Sequence, residues 1–178
     1  MPNYRRKRIP GGTYFFTVNL LDRKSSLLID HIAELREAVR IVRDKQPFHI
    51  DAWVVLPDHM HAIWTLPPGD DQYSNRWRAI KKAFSKVIPK TEYRSAIRIK
   101  RNERGVWQRR FWEHTITNDA DYEAHMDYIH YNPVKHAWVQ SVKEWPYSSF
   151  HRLEKMGIYP IDWAGLDLAS FEVGEPHN

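Results

Sequence analysis

Apolar and polar positions alternate with a period of two through HMHAIWTL, residues 59–66. That is the pattern of a strand whose successive side chains point to opposite faces. Met60, Ala62, Trp64 and Leu66 make one wholly apolar face, suited to a core, while His59, His61, Ile63 and Thr65 share the other. The preceding FHIDAWVVL, residues 48–56, reads as an antiparallel partner joined through a tight Pro57-Asp58 reversal. TYFFTVNL, 13–20, reads as a first strand, and WQRRFWEHTIT, 107–117, as a further one led by an aromatic-basic cluster. Between strands the period lengthens to that of a helix. Ile32, Leu35, Val39 and Val42 mark one face of a helix over 30–45, with Asp30 as its N-cap and Pro47 closing it. Trp77, Ile80, Phe84 and Val87 mark a second over 75–88, and Tyr122, Met126 and Ile129 a third over 118–131, capped by Asn118.

A chain of 178 residues suits a single domain, and no repeat, low-complexity block or linker divides it. From Val134 onward, WPYSSF (145–150) and YPIDWAG (159–165) read as irregular, aromatic-anchored segments wrapped on that domain, with 166–178 as a flexible tail. No apolar run approaches the ~20 residues of a membrane span. The basic N-terminus has no signal-peptide core behind it, and a cytoplasmic protein is expected. With no cysteine, disulfides and thiolate metal sites are excluded.

The net charge of +5 and pI near 9.4 favour an acidic partner, nucleic acid first. Eight Trp, nine Tyr and seven Phe, many beside Arg or Lys, suit unpaired bases, although most of these rings belong to the core. Three stretches carry the charge. YRRKR (4–8) forms a basic arm ahead of Gly11-Gly12; Lys81, Lys82 and Lys86 lie off the apolar stripe of the second helix; residues 90–110 hold the densest run of cations and read as a mobile loop or hairpin meeting a phosphate backbone.

The chemistry centres on His59 and His61. Two neutral imidazoles side by side on a strand make a half-site for a divalent metal, and the same pair also reads as two hydrogen-bonded histidines. On the third helix Tyr128 sits about 100° or more from the apolar stripe, and Asn132, four residues on, lies almost above it. Pro133 disfavours a helical Asn132 and places that residue at the helix end. A phenol with an ordinary pKa near ~10 is a weak nucleophile. Positioned in line with a metal-polarised phosphodiester it becomes an effective one, and the phosphotyrosine ester it forms can be rejoined.

PDHMHAIW resembles the His-hydrophobic-His motif of HUH-superfamily single-strand nucleases, and DYIHYNPVKHAWV the tyrosine-helix signature of single-tyrosine transposases. With GGTYFFTVNL, WQRRFWEH and WPYSSFHR, the ordered set resembles the REP-associated tyrosine transposases over residues 4–165. The resemblance implies an α+β, ferredoxin-like (RRM-like) fold: an antiparallel sheet with helices packed on it. It implies a monomer that cleaves and joins single-stranded DNA at REP hairpins through a covalent 5′-phosphotyrosine, with Mg²⁺ or Mn²⁺ as cofactor. Tyr128 is then the nucleophile, with Tyr131 its rival, and His59, His61 and Asn132 are the metal ligands. DNA contacts are expected from Tyr4, Arg5, Arg6, Lys7, Arg8, Gly11, Gly12 and Thr13, from Lys81 and Lys82, and from Arg109, Arg110, Trp112 and Lys135. Two other readings stay open: a non-catalytic binder of structured DNA or RNA on the same fold, and a phosphoesterase that uses water in place of Tyr128.

Overall fold

The structure, a computed structural model, describes residues 7–163. Four strands form one antiparallel sheet: β1 (Thr13–Asn19), β2 (His49–Val55), β3 (His59–Thr65) and β4 (Trp112–Thr115), in the order β2-β3-β1-β4. Short helix α1 (Leu27–Asp30) and α2 (Ile32–Lys45) connect β1 to β2, and α3 (Tyr73–Val87) and α4 (Ala96–Lys100) connect β3 to β4. Helix α5 (Asp119–Lys135), a 3₁₀ turn (Val142–Glu144) and α6 (Phe150–Lys155) follow. The expected ferredoxin-like α+β fold is what is found.

The alternation along the strands sorts the layers. Tyr14, Phe16 and Val18 of β1 join Met60, Ala62 and Trp64 of β3 beneath α2 and α3, in one core with Leu35, Val39, Val42, Trp77, Ile80 and Phe84. Trp64 and Trp77 stack there with ring centroids 4.1 Å apart. The other set, with Phe15, Ala52, Val54 and Ile63, packs against α5 and the segment 139–163 in a second core. That second cover makes β3 buried on both faces. The far end of β1 is fastened locally: Tyr14 Oη accepts from Ile9 N at 2.7 Å and donates to Ile9 O at 2.6 Å. A Cβ at Gly12 would fall 2.8 Å from the Ile9 carbonyl, so the turn admits only glycine there.

Several local readings are corrected. Asp30 ends α1, and His31 separates it from α2, so Asp30 is not the N-cap of a continuous helix. Val87 is 61% exposed, past the point where α3 leaves the core. The fourth strand is four residues long, starting at Trp112, because only 112–115 pair with β1. Residues 90–110 contain α4 and are pinned: Arg104 reaches Glu92 and the carbonyls of Ser85, Ile88 and Pro89, and Trp107 bridges Leu20. Helix α5 continues through Pro133 to Lys135, which keeps Asn132 inside the helix. Among the described residues, no helix is long and apolar enough to cross a membrane.

Candidate active site

Strand β3 begins at His59 directly after the Pro57-Asp58 turn, which Leu56 N closes on His59 O at 2.8 Å. His59 and His61 therefore stand on the α5 side of the sheet, 3% and 0% exposed, with ring centroids 5.0 Å apart. Each ring is oriented through Nδ1. His59 Nδ1 donates to Asp58 Oδ1 at 2.7 Å, and Arg23 holds Asp58 Oδ2 at 2.6 Å. His61 Nδ1 shares a 2.9 Å hydrogen bond with Thr17 Oγ1, its cross-strand neighbour on β1. The tautomers that donate from Nδ1 leave both Nε2 atoms with lone pairs, the state a ligand needs. Burial, reinforced by the nearby cations Lys135 and Arg23, holds His61 well below its ordinary pKa, hence neutral. Burial alone would raise Asp58; the hydrogen bond from His59 and the charge of Arg23 hold it below its ordinary value.

Helix α5 lays a stripe over this pair. Tyr128, expected to lie off the core face, is 3% exposed. The buried face of α5 is wider than its Tyr122–Met126–Ile129 stripe, because segment 139–163 covers the helix from a second side. The Tyr128 ring meets His61 edge-on with centroids 5.3 Å apart, and Phe15 lies 5.9 Å away. Lys135 Nζ lies 3.5 Å from the Tyr128 hydroxyl and 4.6 Å from its ring centroid. Two turns on from Tyr128, His136 meets His59 at 5.3 Å. Asn132 falls midway, at four-residue spacing from both, and so faces the same imidazoles. It is 0% exposed, and neither Oδ1 nor Nδ2 has a hydrogen-bond partner within the protein. A buried amide with both ends unmet normally costs 1–3 kcal/mol. It suits a donor oxygen held for a metal, so the residues present fit one.

A second group of donors, His114, Asp121 and His125, offers atoms within 4.8 Å of one another. His114 Nε2 lies 2.9 Å from the Asp121 carboxylate, and His125 Nδ1 lies 2.8 Å from the Asp121 carbonyl. Their rings stack at 4.6 Å and 12°. Lone pairs lie in the ring planes, so two parallel rings cannot aim at one ion without one of them turning. The group serves as a hydrogen-bonded collar on the first turn of α5, where Asp121 also accepts from Thr117 N.

The other predicted residues separate into two regions. Trp112 lies opposite Thr17, which in turn pairs with His61, so all three form one row across the sheet. Lys135 reaches Tyr128. Thr13 and Gly11-Gly12 sit at the other end of β1, where Thr13 pairs Thr65. Seven residues of strand span roughly 20 Å, so this end cannot touch a group held by His59. Lys7 and Arg8 adjoin that end and are exposed; Tyr4, Arg5 and Arg6 lie outside the described residues. Lys81 is tied to the Gln108 carbonyl at 3.0 Å, Arg109 is ion-paired with Glu103, and Lys82 and Arg110 are exposed. Asp58, Thr17, Arg23 and His136 were missed. The 128-132-136 spacing signalled His136, and the Asp58-His59 adjacency signalled Asp58. Thr17 depends on β1–β3 register, which no local pattern reveals.

A sheet carrying two oriented imidazoles opposite a helix-borne tyrosine is the frame of a transposase domain. Residues 13–132 match the family model described as Transposase IS200 like. The chain is 52% identical over 175 residues to the REP-associated tyrosine transposase of Escherichia coli strain K12, covering 98% of each. A Haemophilus influenzae relative of the same description is 50% identical over 167 residues, covering 93% of this chain and 94% of its own. A solved structure of a REP-associated tyrosine transposase bound to a REP hairpin superposes with a TM-score of 0.85 at 51% identity, covering 100% of this chain and 99% of that one. The chain belongs to the REP-associated tyrosine transposases, within the IS200-like transposase family. Family membership and the His59–His61–Asn132 set, with its unmet buried amide, together imply a divalent metal.

Proposed function

We propose that this protein is a single-domain, monomeric single-stranded DNA endonuclease and strand transferase that acts at REP hairpins through Tyr128. The observation that carries the reading is the placement of the Tyr128 ring 5.3 Å from His61, with an ammonium 3.5 Å from its hydroxyl. His59 Nε2, His61 Nε2 and Asn132 Oδ1 would hold Mg²⁺ or Mn²⁺, which when bound draws charge from a non-bridging phosphate oxygen. Tyr128 Oη attacks phosphorus; the P–O3′ bond breaks, the phenol gives up its proton and the departing 3′ oxygen takes one up. Lys135 stabilises negative charge on the phenolic oxygen both as it attacks and when it later leaves. The ester keeps the bond energy, so a second 3′-hydroxyl can displace Tyr128 and join the strand. Arg23 and Asp58 set the angle of His59, and Thr17 that of His61. Trp112, in the row beside His61, offers a ring for a neighbouring base. The end of the sheet with Lys7, Arg8 and Gly11-Gly12 lies far enough off to contact the hairpin foot while the scissile bond is at the histidines.

The test is a denaturation-resistant protein–DNA adduct formed with a single-stranded hairpin oligonucleotide in Mg²⁺, in Mn²⁺ and in chelator. Tyr128→Phe is expected to lower adduct and nicking by at least about 10³-fold while keeping DNA affinity. Nicking that survives in Tyr128→Phe would mean that water is the nucleophile. Binding by the wild type with neither adduct nor nicking would reduce the protein to a binder of structured DNA.

A further inference from the structure

On the opposite edge of the sheet from β4, α2 and α6 enclose a cavity of about 300 Å³ against β2. Its floor is the ring of Trp53 with Ile50, Val39 and Val55, and Tyr147 forms a side. Arg36, Arg40 and Arg43 line one wall at helical spacing, and Arg152 comes from α6. Arg40 is paired with Glu37 and Asp44. The other three have no carboxylate partner among the described residues. Arg43 and Arg152 bond backbone carbonyls, and Arg36 lies 6.0 Å over the Tyr147 ring.

We infer that this cavity is a binding site for one nucleotide of unpaired DNA, its phosphate on the guanidinia of Arg36, Arg43 and Arg152 and its base on the Trp53–Tyr147 floor. Three uncompensated guanidinia call for an anion with several acceptor oxygens, and planar forks match phosphate. Two aromatic rings beside them call for a flat, apolar-faced group, which separates a nucleotide from inorganic phosphate. A paired base is excluded, since its stacked neighbours cannot enter a cavity of this size. The site is one strand from the candidate active site: Val54, between Trp53 and Val55, pairs with His61. A strand leaving the histidines reaches it by passing outside residues 147–149, which hydrogen-bond along this edge of β2. This rests on the DNA-processing reading above, and fixes the path of the single strand beyond the cleaved bond.

The experiment measures affinity by fluorescence anisotropy for a hairpin oligonucleotide with a short oligo-dT extension at either end, and for the blunt hairpin. Wild type is compared with Trp53→Phe, Arg36→Ala and Arg36→Ala/Arg43→Ala. Trp53→Phe shrinks the stacking ring; Arg36→Ala removes no hydrogen bond that holds the fold. The double variant is expected to bind one of the extended oligonucleotides about tenfold more weakly, and its plot of log affinity against log salt to be shallower by about one unit. Trp53→Phe is expected to weaken that same oligonucleotide, and blunt-hairpin binding and adduct yield at saturating DNA should stay at wild-type level. Equal affinity and equal salt slope for wild type and both arginine variants on both extensions would overturn the site. So would a loss that is the same with the blunt hairpin. Protection by dTMP alone, with no effect on extended DNA, would also overturn it, in favour of a free-nucleotide site. A wild type that forms no adduct yet shows the extension-dependent loss would refute the catalytic reading and leave this site standing.

Discussion

The two faces of the sheet are built from the same strands, yet they differ in what they bury. Under α2 and α3 lie Tyr14, Phe16, Met60, Ala62 and Trp64, almost all hydrocarbon, completed by Trp77 and Phe84. Between the sheet and α5 lie Thr17, His59 and His61 of the strands and Asn132 of the helix, as deeply buried but polar, around Phe15 and Tyr128. Residues one apart in the chain thus contribute to opposite tasks. The first face supplies stability through area removed from water. The second gives up part of that gain to hold imidazoles and an amide away from solvent, where electrostatic interactions are stronger. Stability and chemistry can be altered separately because the pleat separates them.

The largest expected effect is on the hydrocarbon face. Trp64→Ala should cost about 3–5 kcal/mol of stability in urea unfolding, with adduct formation per folded molecule near wild type. A comparable loss of activity in the folded fraction would erase the division between the faces. On the other face, His61→Ala should lower adduct formation at least about a hundredfold with a smaller change in urea midpoint. The same variant should lose the metal dependence of thermal stability, read by melting with and without Mn²⁺. Asn132→Ala sharpens the contrast further. Deleting an orphaned amide removes a 1–3 kcal/mol desolvation cost that offsets the packing lost, so stability should move by less than about 1 kcal/mol while Mn²⁺ affinity falls. A destabilisation of several kcal/mol would mean that the amide is bonded in solution.

A pH slope belongs to one face alone. Burial holds His61 well down and pushes His130 to about 3, so both are neutral when folded. Unfolded, each takes a proton near pH 6.5, so the unfolded state binds more protons and stability falls as pH drops below that value. The slope is at most about 1.4 kcal/mol per pH unit for each histidine, continuing for His130 toward pH 3. Urea midpoints between pH 7.5 and 5 should fall accordingly. Trp64→Ala should shift that curve without changing its slope, and His130→Phe should flatten it.

Much of this was legible in the chain. Period-two alternation around His59 and His61, helical stripes ending in Trp77 and Phe84, and the Asn118 cap, whose Oδ1 accepts from Asp121 N at 2.9 Å, are local patterns with local causes. Where local rules failed, a distant contact had prevailed. Pro133 did not end α5, because Pro133 is buried and Val134 packs against the second core. The cationic stretch 90–110 was read as loose because hydrophobic order is sparse there; Arg104 supplies the order instead, by gathering carbonyls and a carboxylate from residues 85–92. Tyr128 was read as lying off the core, because a helical wheel counts only the helix's own stripe and not the segment 139–163 folded over it.

By itself the sequence determined the elements, their faces and the identities of the candidate nucleophile and ligands, because backbone period and residue chemistry are properties of neighbours in the chain. Only the tertiary structure decided that Thr17 would orient His61, that Lys135 would meet the Tyr128 hydroxyl, and that four arginines would gather round Trp53. Those are contacts set by strand register and layer packing, and register is fixed by the whole sheet at once.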